Sequence, residues 1–207
     1  MQQALVTSTA PGAGLTDPVM DAQAIFRQVM NALAEPGSVQ SLEPDLLAAL
    51  QPPAPLTPAT AAMLLALADF ETPVWLDPAL STASVTAYLR FHAGCPLVAE
   101  PSKASFAVIA DGATLDRLDG FALGSLEYPD RSTTVIVQVI SLTHGRAWSL
   151  SGPGIDGIRT AHLSPLHHDL LASLQANHAL FPCGIDLLLT DGTSVLGLPR
   201  STDITEA

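Results

Sequence analysis

The chain has 207 residues and a formal net charge of −12, from 20 acidic and 8 basic side chains. Such an acidic protein repels nucleic-acid phosphate and anionic lipid, so we exclude both as partners. Hydrophobic residues make up 48% of the sequence, but the longest uninterrupted apolar run, at residues 61–68, is far shorter than the about 20 residues that a membrane-spanning helix needs.

The length fits one domain, which we place at residues 17–207 after a flexible lead at residues 1–16. This lead has neither the cationic start nor the sustained apolar stretch of a secretory signal, and Cys95 and Cys183 suggest no disulfide framework. We therefore expect a cytoplasmic protein. The high apolar content also predicts that the chain covers part of its surface as a homodimer or with a partner.

In chain order, the first predicted element is a helix that Asp17 caps, that Pro18 opens and that ends before Gly37. A proline-rich connector at residues 51–58 leads to a second helix at 59–70, which is apolar on most sides. A strand at 74–76, a helix at 84–92 and a strand at 105–110 complete the first half.

Strands dominate the second half, with predictions at 133–142 and 147–151 before a last helix at 164–176. Two apolar runs, 185–189 and 195–198, then flank Asp191-Gly192, a dipeptide that favours a type I′ hairpin turn with both residues at positive φ. These elements predict an α/β fold, three-layer-like, with a mixed β-sheet and helices on its faces.

Two patterns suggest ligand chemistry, but their context argues against it. The segment GPGIDG at 152–157 has the spacing of a dinucleotide loop, yet no clear helix follows directly and no acidic strand end comes about 20 residues later, so we interpret it as a tight turn. His167 and His168 would point about 100° apart on the predicted helix, so we expect no metal site.

Five segments in fixed order carry a family resemblance over about residues 21–202. They are DAQ at 21–23 with FR at 26–27 and EPG at 35–37; D at 69 with TPVWL at 72–76; LRFH at 89–92; GPGI at 152–155; and FPCGIDLLLTDGTSVLGLPRST at 181–202. With these segments the chain resembles the PhnH family, subunits of the carbon–phosphorus lyase system with which bacteria use phosphonates.

The resemblance implies a subunit that supports transfer of the ribose 5-triphosphate moiety of ATP to an alkylphosphonate, with release of adenine. The implied partners are the subunits designated G, I and J, and the isolated chain would be an inactive homodimer without a cofactor. No residue can be assigned a catalytic role. The alternatives are a purely structural scaffold subunit and an independent small-molecule transferase.

The resemblance also implies a fold like the large domain of pyridoxal-phosphate-dependent transferases. The only lysine, Lys103, lies in a polar approach to a strand, where a solvated amine is expected and not a Schiff-base former, so we predict that fold without pyridoxal phosphate.

Five residues of the resembling segments are candidates for binding substrate or a partner: Arg27, Arg90, His92, Arg131 and Arg200. Arginine is suited to this role because its planar fork grips phosphate and carboxylate. We expect Arg90 and His92, at the end of a helix, to present a cation and an imidazole on the same side, toward a partner. Arg200 follows Pro199, where the strand must end, so we expect its side chain to point to solvent or to an anion.

Overall fold

The computed structural model describes residues 12–164 and 166–207. Residues 1–11 of the predicted lead lie outside this description. Its helices are α1 Pro18–Ala34, α2 Pro44–Ala49, α3 Pro58–Leu67, α4 Ala83–His92 and α5 Leu170–His178, with short 3₁₀ helices at Pro101–Lys103 and Gly112–Thr114. Its strands are β1 Val39–Ser41, β2 Val74–Leu76, β3 Phe106–Ile109, β4 Thr134–Gln138, β5 Ser141–Ser151, β6 Arg159–Ser164, β7 Asp186–Thr190, β8 Ser194–Leu198 and β9 Asp203–Glu206.

Six strands form a mixed sheet in the order β1-β8-β7-β4-β3-β2. Strands β2, β3, β4 and β7 are parallel, while β8 is antiparallel to β7 and β1 is antiparallel to β8. A second, antiparallel sheet has the order β6-β5-β9. The predicted mixed α/β fold with helices flanking the sheet is confirmed, whereas its likeness to the pyridoxal-phosphate transferases stays a prediction.

The large sheet separates two apolar cores. Ile136 of β4 packs in the core that contains α1, α3 and α4, whereas its neighbours Val135 and Val137 pack in the core that contains α5 and the small sheet. A parallel strand that is covered on both faces needs apolar residues at nearly every position, which explains the continuous runs in β4 and β7.

The first helix is capped as predicted. The Asp17 carboxylate accepts hydrogen bonds from the backbone N–H groups of Val19 and Met20, and Pro18 occupies the first helical position. The helix predicted at 59–70 is α3. It ends at Leu67, earlier than predicted, because Ala68 already has an extended backbone. No helix in the described part of the chain is long and apolar enough to cross a membrane.

Three predicted elements in the second half were wrong in extent, and the strand predicted at 147–151 is only the last part of β5. The strand predicted at 133–142 is two strands, since the chain leaves the large sheet after Gln138 and β5 pairs with β6 and β9. No glycine or proline lies at this crossing. The sequence of residues 133–142 therefore looks like one continuous apolar strand. The last helix begins at Leu170 and not at 164, while β1, α2, β6 and β9 were not predicted.

The hairpin between β7 and β8 is confirmed, but its predicted type I′ turn is wrong. Gly192 has φ of 95°, whereas no described residue other than glycine has positive φ. The Asp191 carboxylate instead accepts hydrogen bonds from the backbone N–H groups of Thr193 at 3.1 Å and Ser194 at 3.0 Å. Asp191 therefore shapes the turn through its side chain.

We expect Gly192→Val to lower the free energy of unfolding by about 1 kcal/mol or more, because a Cβ atom disfavours φ of 95°. The control is Gly120→Val, at an exposed glycine whose added Cβ would lie 4.0 Å from Pro101. Urea denaturation measures both variants. Equal midpoints for the two would contradict the backbone argument.

Candidate functional site

The carboxyl edge of the parallel strands, where open α/β sheets usually bind ligands, is closed in this protein. Gln138 lies at this end of β4 and is only 6% exposed. Its side-chain oxygen accepts a hydrogen bond from the Thr57 N–H at 2.9 Å, and its side-chain nitrogen donates to the carbonyls of Pro55 at 3.0 Å and Ala110 at 3.3 Å. The proline-rich connector thus covers the end of β4.

The opposite edge of the sheet carries an open polar cavity of about 400 Å³, at the amino ends of β3 and β4. Lys103 and Arg131 are its cationic residues and Asp130 is its acidic residue. Four hydroxyl-bearing residues also line it: Ser102, Ser105, Ser132 and Thr134. We call this cavity the amino-edge pocket.

Neither cation of the amino-edge pocket is held by a buried partner. The Arg131 guanidinium lies 4.0 Å from the centroid of the Tyr128 ring, a cation–π contact, and no carboxylate in the described residues forms an ion pair with it. Lys103 pairs with Glu100 at 2.8 Å, but both side chains are more than half exposed. Exposed pairs of this kind contribute about 0–1 kcal/mol.

Arg200 lies beneath this edge with only 13% of its side chain exposed. Its guanidinium binds the Asp186 carboxylate through Nε at 3.1 Å and Nη2 at 2.6 Å. It also donates to the carbonyls of Pro129 at 2.8 Å and Pro182 at 3.4 Å, and to the Ser132 hydroxyl at 2.5 Å. All five N–H donors of its side chain therefore have acceptors within the chain.

The expectation that Arg200 points to solvent or to an anion is wrong. The chain does leave the ladder at Pro199, but the turn after it directs the arginine back to Asp186, the first residue of β7. Asp186 is the sequence signal that could have found this pair, because an acidic residue at the start of a buried apolar strand needs a partner.

His92 contacts its own chain. Its Nε2 lies 2.6 Å from the carbonyl oxygen of Gly12, and its ring packs against Tyr88 and Phe91 with centroids 4.5 and 4.9 Å apart. Arg90 lies on the same helix, α4, and is exposed. In this arrangement His92 holds the segment that precedes α1, and its candidacy as a partner contact stays a prediction.

The five candidates do not form one site. Arg131 and Arg200 meet at the amino edge, where Ser132 contacts Arg200 and adjoins Arg131. Arg27 is exposed on α1 beside a groove of about 290 Å³. Sequence reasoning missed the contribution of Lys103, Ser102 and Ser105 to the amino-edge pocket, because they come from the approach to β3, which is distant in sequence from β4.

The geometric reason for excluding a histidine metal site is also wrong. His167 and His168 lie in the loop before α5 and not on a helix, with ring centroids 4.3 Å apart. With Asp169 they offer three potential ligand atoms, all within 4.8 Å of one another. However, His167 Nδ1 already accepts a hydrogen bond from the Asp169 N–H at 3.3 Å. The absence of a metal site stays a prediction.

A family model described as "Bacterial phosphonate metabolism protein (PhnH)" matches residues 13–205. The chain belongs to the PhnH family. It is 44% identical over 191 residues to the "Alpha-D-ribose 1-methylphosphonate 5-triphosphate synthase subunit PhnH" of Rhizobium meliloti (strain 1021), covering 91% of this chain and 92% of the relative. It is 31% identical over 183 residues to the "Putative C-P lyase subunit protein HtxG" of Stutzerimonas stutzeri, covering 88% and 85%.

Two segments that carry the PhnH resemblance, EPG at 35–37 and GPGI at 152–155, meet in space. GPGI belongs to the connection between the antiparallel strands β5 and β6, so it is a turn and does not open a helix. Arg159 donates to the carbonyls of Glu35 at 3.1 Å and Pro36 at 2.8 Å. The tight turn predicted at GPGI is confirmed by the hydrogen bond from the Ile155 N–H to the Gly152 carbonyl, and Gly154 lies against Ala34 and Pro36.

The residues present do not suit pyridoxal phosphate, the cofactor of the fold class to which PhnH proteins were likened. Lys103 lies at the amino edge, is 64% exposed and pairs with Glu100. A Schiff-base lysine is instead typically desolvated in an apolar pocket. Of the two cysteines, Cys95 is buried, and this burial raises the pKa of its thiol.

Proposed function

We propose that this protein is the PhnH-type subunit of a carbon–phosphorus lyase complex and supports the synthesis of α-D-ribose 1-methylphosphonate 5-triphosphate. In this reaction a phosphonate oxygen bonds to C1′ of ATP as the glycosidic bond breaks, and adenine leaves with a proton. The observation that carries the proposal is the 44% identity to the Rhizobium meliloti synthase subunit over nearly the full length of both chains.

The chain acts within a complex and does not catalyse the reaction alone. Its sequence has no phosphate-binding GxxxxGK loop, and its net charge of −12 repels free ATP and phosphonate. The partners we propose are the subunits designated G, I and J. In isolation we propose a homodimer, and we place the complex in the cytoplasm.

A purely structural scaffold is the second candidate function. The observation that favours it is the exposed apolar face of α1, where Val19 is 64%, Met20 61% and Phe26 50% exposed. A scaffold would require only assembly, whereas a supporting role in the reaction also requires side chains that contact substrate. An independent small-molecule transferase has the weakest support, because Lys103 does not suit cofactor chemistry.

Omitting this chain from the purified, reconstituted complex is expected to reduce adenine release from ATP and methylphosphonate by about tenfold or more, as loss of a reaction-supporting subunit should. The isolated chain should release none above the buffer control. Chromatographic quantification of adenine measures both. Turnover by the chain alone, after contaminating nucleosidase has been excluded, would contradict the proposal, and so would full activity without the chain.

A further inference from the structure

The amino-edge pocket brings two basic side chains together in an acidic protein. All eight basic side chains lie in the described residues, and two of them, Lys103 and Arg131, line this one cavity. A third, Arg200, lies beneath it but is neutralised by Asp186. Local cations are what an anion needs in order to approach a surface of net charge −12.

The donors that line the pocket match a tetrahedral oxyanion. Arginine presents parallel N–H donors, lysine presents a point charge, and serine and threonine hydroxyls donate single hydrogen bonds. The cavity volume of about 400 Å³ falls within the range of small-molecule sites. Asp130 is the one acidic side chain in the lining, and Glu100 pairs with Lys103 beside it, so an anion must replace Glu100 as the partner of Lys103.

We propose that the amino-edge pocket binds a tetrahedral phosphorus oxyanion, with Arg131 and Lys103 as its principal contacts. That the anion contains phosphorus rests on the proposed function, whereas the preference for an anion rests on the pocket alone. The weak pair with Glu100 leaves Lys103 able to change partner at little cost in free energy. Arg131 keeps its charge available because it stacks on Tyr128 and is not neutralised by a carboxylate.

Arg200 is a positioning residue for this pocket. It binds the carbonyl of Pro129 and the hydroxyl of Ser132, which flank Asp130 and Arg131 in the chain. The partly buried pair with Asp186 thereby anchors the loop that carries Arg131 to the start of β7. This arrangement fixes the position of the loop that carries Arg131, as a binding site requires. Arg200 itself has no N–H donor left for a ligand.

Isothermal titration calorimetry of the isolated chain at low ionic strength tests the proposal, with inorganic phosphate, methylphosphonate and tripolyphosphate as probes. We expect Arg131→Ala and Lys103→Gln each to weaken binding of the preferred probe by about fivefold or more. Asp130→Asn should tighten it about twofold or more, because a like charge is removed. Arg146→Ala, the matched control, removes one exposed cation that pairs with Glu206 and should stay within about twofold of the parent.

Lys103→Gln is the variant that keeps the test valid if Arg131→Ala disturbs its loop, since Lys103 is exposed and bonds only to Glu100 in the described residues. Tighter binding of methylphosphonate than of tripolyphosphate would assign the pocket to the phosphonate, and the reverse would assign it to the triphosphate. Absence of binding of all three probes, or equal affinities for parent, Arg131→Ala and Lys103→Gln, would overturn the proposal.

Adenine release separates this inference from the proposed function. If omission of the chain abolishes release and the pocket variants bind the probes like the parent, the function stands and the pocket assignment fails. If the pocket variants lose binding and omission of the chain has no effect on release, the pocket stands and the function fails.

Discussion

Arg200→Ala is expected to lower the free energy of unfolding by about 3 kcal/mol or more, because it leaves the Asp186 carboxylate without its partner in a largely buried position. The loss includes the hydrogen bonds to Pro129 and Ser132, which connect the loop before β4 to the end of β8. Urea and thermal denaturation measure it.

Two controls show whether the loss in Arg200→Ala comes from its pair with Asp186. Arg117→Ala removes an exposed guanidinium that pairs with Asp119, and it should melt like the parent because exposed pairs contribute little. Asp186→Ala combined with Arg200→Ala should cost less than the sum of the single variants, because each single variant strands the other member of the pair. Parent-like melting of Arg200→Ala would refute the structural role of the pair.

Gly154→Ala is expected to lower the free energy of unfolding by about 3 kcal/mol, for two reasons that act together. Gly154 has φ of 82°, which disfavours a Cβ atom by about 1–2 kcal/mol. Such an atom would also lie 2.1 Å from the carbonyl oxygen of Ala34, at the end of α1, so backbone would have to shift.

Gly157→Ala, in the same loop, is the matched control for Gly154→Ala. Gly157 has φ of 72°, but an added Cβ atom there would meet nothing within 4 Å. It should cost only the backbone strain of about 1 kcal/mol. Denaturation of both variants under the same conditions isolates the contact with α1, and equal losses would show that this contact is unimportant.

The sequence predicted those helices and strands whose limits depend on neighbouring residues in the chain. Asp17 and Pro18 determine where α1 begins, and the unbroken apolar runs indicate strands buried on both faces. The crossing after Gln138 was missed because it depends on which sheet the next residues join, and that choice is made by β6 and β9 far along the chain.

Less of the candidate site than of the fold could be predicted from the sequence. Arg131, which was predicted only as a candidate for binding substrate or a partner, lines the amino-edge pocket, and its binding role stays a prediction. Arg200 was assigned an exposed position because its partner Asp186 lies 14 residues earlier. Lys103 was judged only as a cofactor lysine. Its position beside Arg131 results from the parallel pairing of β3 with β4, a contact that no local pattern encodes.

The closure of the carboxyl edge by Gln138 has a consequence for the order of folding. Its hydrogen bond to Thr57 spans 81 residues, and that to Pro55 spans 83. On the ribosome these two hydrogen bonds therefore cannot form until β4 has been synthesised, although α3, whose residues 59–64 are all buried in the native protein, follows the connector immediately. During that interval α3 presents apolar surface to other nascent chains, and contacts of such long range also form slowly. The native contacts of residues 51–67 are thus completed only after much of the large sheet has been synthesised.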